Sequence, residues 1–141
     1  MTSPANPPKR IGIGIILRDG HVLVGIRGSE TVLAGKHEFP GGKCLSGEEF
    51  SACVIRECLE ETGLSVVPIQ EIDQRTYSYE HGSVALSFWL CRTANHDPQN
   101  LKGNFQWVPV AELSRLNFPE ANRVVLDWLN RDTDSFIENR S

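Results

Sequence analysis

A single mixed α/β domain is the fold class this sequence predicts, and three observations predict it. Apolar, β-branched runs joined by tight-turn residues occur near the start and again past the middle. One long helical pattern lies between them, and a second, amphipathic one closes the chain. Strands alternating with helices in this way imply helices packed on a sheet. At 141 residues and 40% hydrophobic content the chain supports one core and leaves little for a second. Residues 1–9, polar and proline-rich, read as a flexible N-terminal tail, and 10–141 as the domain.

The elements follow in order. "RIGIGIIL" (Arg10 to Leu17) and "HVLVGIR" (His21 to Arg27) flank "RDG", the pattern of a hairpin. "GSETVLAGK" reads as a loop. Gly47 to Thr62 has helical periodicity, with Ser46 as N-cap and Gly63 as terminator. "SVVPIQEIDQRTYSYE" and "SVALSFWLC" flank "HG" as a longer hairpin, with Pro68 marking an edge or bulge. After the polar loop "NHDPQNLKGN" comes a short strand, "FQWVPV". Pro119 to Asn130 is the closing helix, carrying Val124, Val125, Trp128 and Leu129.

Charge and cysteine content narrow the function. A net charge of -4 argues against a dedicated nucleic-acid or anionic-membrane binder. No apolar run has the length to span a bilayer. Cys44, Cys53, Cys58 and Cys91 form no CxxC pair, so they read as reduced thiols of a cytoplasmic protein and not as zinc ligands.

The helical stretch carries the chemistry. At roughly 100° per residue, Glu57, Glu60 and Glu61 share one face, and Val54, Ile55, Cys58 and Leu59 occupy the other. Three neighbouring carboxylates repel one another, and a divalent cation among them relieves the repulsion. The alternative for an isolated ExxEE is a solvated acidic stripe. Here it sits within a longer pattern: Gly42, five residues, Glu48, seven residues, then Arg56-Glu57, Cys58, Leu59, Glu60-Glu61, Thr62, Gly63 and Leu64. This pattern resembles the complete Nudix box, the signature of hydrolases of nucleoside diphosphates linked to a further moiety.

The resemblance implies a Nudix fold, an α/β/α sandwich around a mixed β-sheet, and a Mg²⁺-dependent hydrolase in which Mn²⁺ is an alternative ion. It assigns the metal to Glu57, Glu60 and Glu61, with a carbonyl of Gly41 or Gly42 as a further oxygen. Glu48 and Arg56 take supporting catalytic places, Arg56 by fixing a glutamate rotamer through a charge-assisted pair. Relatives of the MutT type often carry another glutamate before the late tryptophan strand. "NHDPQNLKGNFQW" has none, so a box glutamate, Glu57 or Glu60, is the preferred base, ahead of Asp97 and His96.

Three further pieces resemble the MutT branch of the family: "HEFPGGK", Arg27, and "NFPEAN". They imply a nucleoside triphosphate substrate, 8-oxo-dGTP in particular, attacked at the β-phosphorus to give the monophosphate and pyrophosphate. On that likeness Asn122 reads the base edge, Phe39 lines the pocket and Arg27 contacts the nucleotide. Core packing is an equal explanation for Phe39, and a helix start with Asn117 as a nearby cap is one for "NFPEAN". A broader pyrophosphohydrolase acting on CTP or ordinary dGTP, and a non-catalytic nucleotide sensor, are the alternatives. The expected partner is the small nucleotide alone, with no stable nucleic acid and no membrane, for a monomer or homodimer.

Overall fold

A seven-stranded mixed sheet forms the centre of the computed structural model, which describes residues 7–26, 35–94 and 101–131, with helical backbone continuing to 138. The strands are β1 (Lys9–Arg18), β2 (His21–Ile26), β3 (His37–Glu38), β4 (Gly41–Lys43), β5 (Val66–Tyr79), β6 (Gly82–Thr93) and β7 (Phe105–Pro109). The helices are α1 (Phe50–Thr62) and α2 (Arg123–Glu138), the latter entered through 3-10 turns at Val110–Arg115 and Glu120–Asn122.

Both expected hairpins are present. The first turns through Asp19 and Gly20, both at positive φ (49° and 74°), as a tight two-residue hairpin turn requires. The second pairs β5 with β6, and register shifts follow Pro68 and Glu71, so the proline does mark an irregular edge strand. The topology then places β1 at the centre. It runs parallel to β6 from Lys9 to Ile16, while its other edge bonds β4 at Ile11–Ile13 and β2 at Leu17–Arg18. β2 continues outward to β3 and β7.

The period-2 alternation of these strands sends side chains to two cores. Ile15, Leu17, Val22, Val24, Phe88 and Leu90 face Val125 and Leu129 of α2. Ile16, Leu23 and Cys91 face Val54 and Cys58 of α1. The result is the α/β/α sandwich. α1 lies unusually close to β1, because the strand presents glycines to it. A Cβ on Gly14 would sit 2.7 Å from Cys58 Sγ, and one on Gly12 3.0 Å from Val54. A small residue at position 58 suits so close an approach.

Three local expectations need correction. The α1 helix starts at Phe50, not Gly47, and its N-cap is Glu49, which makes no side-chain cap bond. Ser46 is instead part of a turn in which Gly47 has φ 76° and Leu45 accepts the Glu48 N–H, which keeps this segment out of the helix. Ile55 and Leu59 are 41% and 48% exposed, so the buried stripe of α1 is Cys53, Val54, Cys58 and Thr62. The sheet covers only a narrow arc of this helix. At the C-terminal end, the expected helix from Pro119 begins at Arg123, and Asn122 closes the 3-10 turn before it. Asn117 makes no helix cap; its Oδ1 accepts a hydrogen bond from Lys36 Nζ at 3.1 Å.

Candidate active site

Glycines and glutamates meet where β4 passes under α1. The Glu57 carboxylate lies directly over the Cα of Gly42, in space that any Cβ there would fill. One helical turn on, Glu61 Oε1 accepts the Gly41 N–H at 2.9 Å. The "GGK" segment thus brings bare backbone to two carboxylates, which no other residue type would permit at position 42.

Arg56 organises the remaining acids. It donates from Nε to Glu48 Oε2 and from one terminal nitrogen to Glu48 Oε1, each at 2.9 Å, a bidentate pair. It also donates to the Lys43 carbonyl at 3.0 Å and reaches Glu60 Oε1 at 3.4 Å and Glu57 Oε1 at 3.6 Å. Glu48 in turn accepts the Leu45 N–H at 2.8 Å, and its own carbonyl accepts from Arg10, whose guanidinium lies 4.2 Å over the Phe50 ring. One arginine therefore clamps the loop, β4 and α1 together.

The electrostatics follow from this arrangement. Hydrogen bonds from Arg56, and then from the Leu45 N–H, hold the Glu48 carboxyl down at about 2. Glu57 is shifted the other way: burial raises it, Glu60 and Glu48 add repulsion, and Arg56 offsets only part. A carboxylate destabilised by burial and like charge is one that a nearby cation stabilises. Since Glu48 titrates lower folded than its ordinary value of 4.5, its contribution to stability is present above 4.5 and is lost as pH falls through about 2. Glu48→Gln is expected to lower the urea midpoint at neutral pH and to converge with the wild type across that acid window. An equal deficit at all pH values would show that the pair contributes nothing through charge.

Glu57, Glu60 and Glu61 occupy one side of α1, but they are held apart. Glu57 rests on Gly42, Glu60 is 59% exposed beside Arg56, and Glu61 bonds Gly41. Among the described residues, the set whose ligand atoms all lie within 4.8 Å of one another is a different one: Cys44, Glu48 and Cys53. The donor chemistry at the glutamates nevertheless suits a hard divalent cation, being carboxylate and backbone oxygen.

The two distant pieces of sequence also converge. The segment from Asn117 packs on β3: His37 N–H donates to the Asn117 carbonyl at 2.9 Å, and Asn117 N–H to His37 Nδ1 at 3.1 Å. Phe118 stacks on Phe39 at 4.7 Å. Phe39 itself is 6% exposed and belongs to the core. "NFPEAN" is thereby fastened to the strand that leads into Gly41 and Gly42. Asn122 is buried at 9% exposure, and among the described residues no side-chain hydrogen bond engages its amide. Arg27, His96 and Asp97 lie outside the described residues.

The NUDIX domain family matches residues 12–128. The chain belongs to the Nudix family. It is 30% identical over 124 residues to the 8-oxo-dGTP diphosphatase of Escherichia coli (strain K12), covering 86% of this chain and 96% of that protein. To the 8-oxo-dGTP diphosphatase of Buchnera aphidicola subsp. Acyrthosiphon pisum it is 32% identical over 96 residues, covering 67% of this chain and 77% of the relative. The solved MutT protein of Methanosarcina mazei Go1 shares the fold, with a TM-score of 0.74 at 22% identity over 93% of this chain and 99% of that one. This Nudix protein is accordingly a hydrolase of phosphorus-containing anhydrides. No helix among its described residues is long and apolar enough to cross a membrane.

Proposed function

We propose that this Nudix hydrolase is a Mg²⁺-dependent nucleoside triphosphate pyrophosphohydrolase that takes 8-oxo-dGTP to the monophosphate and pyrophosphate, a nucleotide-pool sanitiser of the cytoplasm. The observation that carries the substrate is the Asn122 amide, buried and without a side-chain partner among the described residues. Buried amides are normally satisfied, so one without a side-chain partner has hydrogen-bonding capacity to offer a ligand. Its acceptor and donors suit 8-oxoguanine, which presents an N7–H donor beside the O6 acceptor where guanine presents two acceptors. Two relatives with the same activity in their names support the assignment.

Glu57, Glu60 and Glu61 would hold the cation, with a carbonyl of Gly41 or Gly42, and Mn²⁺ fits the same donors. Bound there, the metal neutralises pyrophosphate charge and lowers the pKa of water. The chain's own groups do the rest. Arg56 fixes Glu48 and stands beside Glu57 and Glu60. Glu57, its carboxyl raised by burial, is better matched to accept a proton than an ordinary exposed glutamate. In this reading Arg27 contacts the nucleotide, and Phe39, packed in the core against Phe118, supports the pocket from behind.

Initial rates over a panel of 8-oxo-dGTP, dGTP, CTP and ADP-ribose with Mg²⁺ test the proposal, read as pyrophosphate released. The 8-oxo-dGTP rate should lead. Asn122→Ala should lower it roughly tenfold or more while dGTP turnover changes far less, since the lost hydrogen bonds strand the base's polar edge. Equal losses on both nucleotides would assign Asn122 to the support of α2 and favour the broader pyrophosphohydrolase.

A further inference from the structure

Cys53 is fully buried on the inner face of α1, and its thiol lies near three groups: the Gly42 carbonyl at 3.3 Å, the Glu48 carboxylate and the Cys44 sulfur. One S–H proton cannot serve both oxygens. Cys44, 9% exposed, follows directly on β4, and its backbone N–H donates to the Arg10 carbonyl at 2.7 Å, which fixes the loop beside the helix. The two sulfurs and a Glu48 oxygen all lie within 4.8 Å of one another. Tetrahedral zinc bound at ~2.3 Å to sulfur and ~2.1 Å to oxygen needs ligand atoms roughly 3.5–3.8 Å apart, so small side-chain rotations close the set. Glu48 has an oxygen to give: Oε1 accepts from Leu45 and Arg56, whereas Oε2 accepts from Arg56 Nε.

We propose that Cys44, Cys53 and Glu48 form a second cation site in this protein, selective for a thiophilic divalent ion of the zinc class. This departs from the expectation, drawn from the lack of a CxxC pair, that no cysteine is a zinc ligand. Binding replaces two S–H bonds by two metal–sulfur bonds and releases both protons to solvent. The Glu48 side chain is 14% exposed, so the set reaches the surface at that carboxylate. Thiolate donors distinguish this site from the glutamates of the box, whose oxygens prefer Mg²⁺. Glu48 belongs to both, because Arg56 and the cation would share its carboxylate.

The test is titration of the reduced full-length chain with Co²⁺ in excess Mg²⁺, read by thiolate-to-cobalt charge-transfer absorption, to which carboxylate-bound cobalt contributes nothing. The expected result is one thiolate-bound ion per chain, displaced by Zn²⁺. The band should disappear or fall by at least half in Cys44→Ala and in Cys53→Ala, and persist in Cys91→Ala. Cys44 is at the margin of the surface, so its variant decides the matter if the Cys53 variant fails to fold. No band in the wild type, or an undiminished band in Cys44→Ala, overturns the site.

Discussion

Glu57→Gln and Glu61→Gln are each expected to lower turnover by on the order of a thousandfold or more, with little change in thermal stability. Glutamine preserves volume and removes the charge that a divalent cation needs. The fold has reason to survive both changes. α1 is held by Cys53, Val54, Cys58 and Thr62, all on its other face. Glu57 is raised by burial, so a neutral side chain there relieves a desolvation cost. Glu61 accepts the Gly41 N–H at an exposed position, and the glutamine carbonyl can still accept it. The measurement is kcat with saturating Mg²⁺ alongside a melt, and near-normal kcat in both variants would remove the metal from these residues.

Much of this was legible because periodic patterns report packing. The two hairpins carry apolar alternation and appear where expected, and the helical spacing of α1 holds from Phe50 to Thr62. The box pattern pointed to α1 and to Arg56 pairing with a box glutamate, and Arg56 does make a bidentate pair with Glu48. What stayed hidden depends on how elements dock. Ile55 and Leu59 look like core on a helical wheel, yet the sheet reaches only the arc around Val54 and Cys58. Ser46 has the composition of an N-cap, but Gly47 takes the backbone through a turn and delays the helix to Phe50. Cys44 and Cys53 are nine positions apart, a spacing with no motif, and they meet only because β4 lies beneath α1. The alternating glycines of "RIGIGIIL" were the available signal for that close contact, since glycine inside a strand often marks another element's approach.

The adjacent glycines Gly41 and Gly42 are expected to separate activity from folding. A methyl group on Gly42 would overlap the Glu57 carboxylate, which is the free end of a flexible side chain and can swing away. Gly42→Ala should therefore melt near the wild-type temperature while Glu57 is displaced from its place over β4. Misplacing a metal-binding or proton-accepting group by about 1 Å costs roughly a hundredfold in rate. A methyl group on Gly41 meets the Gly12 carbonyl and lies 2.8 Å from Ile13 Cα, both backbone atoms of β1. Nothing there can rotate aside, so β4 must move off β1 and lose part of its pairing at Ile11–Ile13. Gly41→Ala should then lower stability by about 1–3 kcal/mol, with activity falling as a consequence. Paired melts and kcat values on the two variants check this. If Gly42→Ala loses as much stability as Gly41→Ala, the glycine pair serves strand packing alone, and the close seat of Glu57 on Gly42 has no part in holding the carboxylate for catalysis.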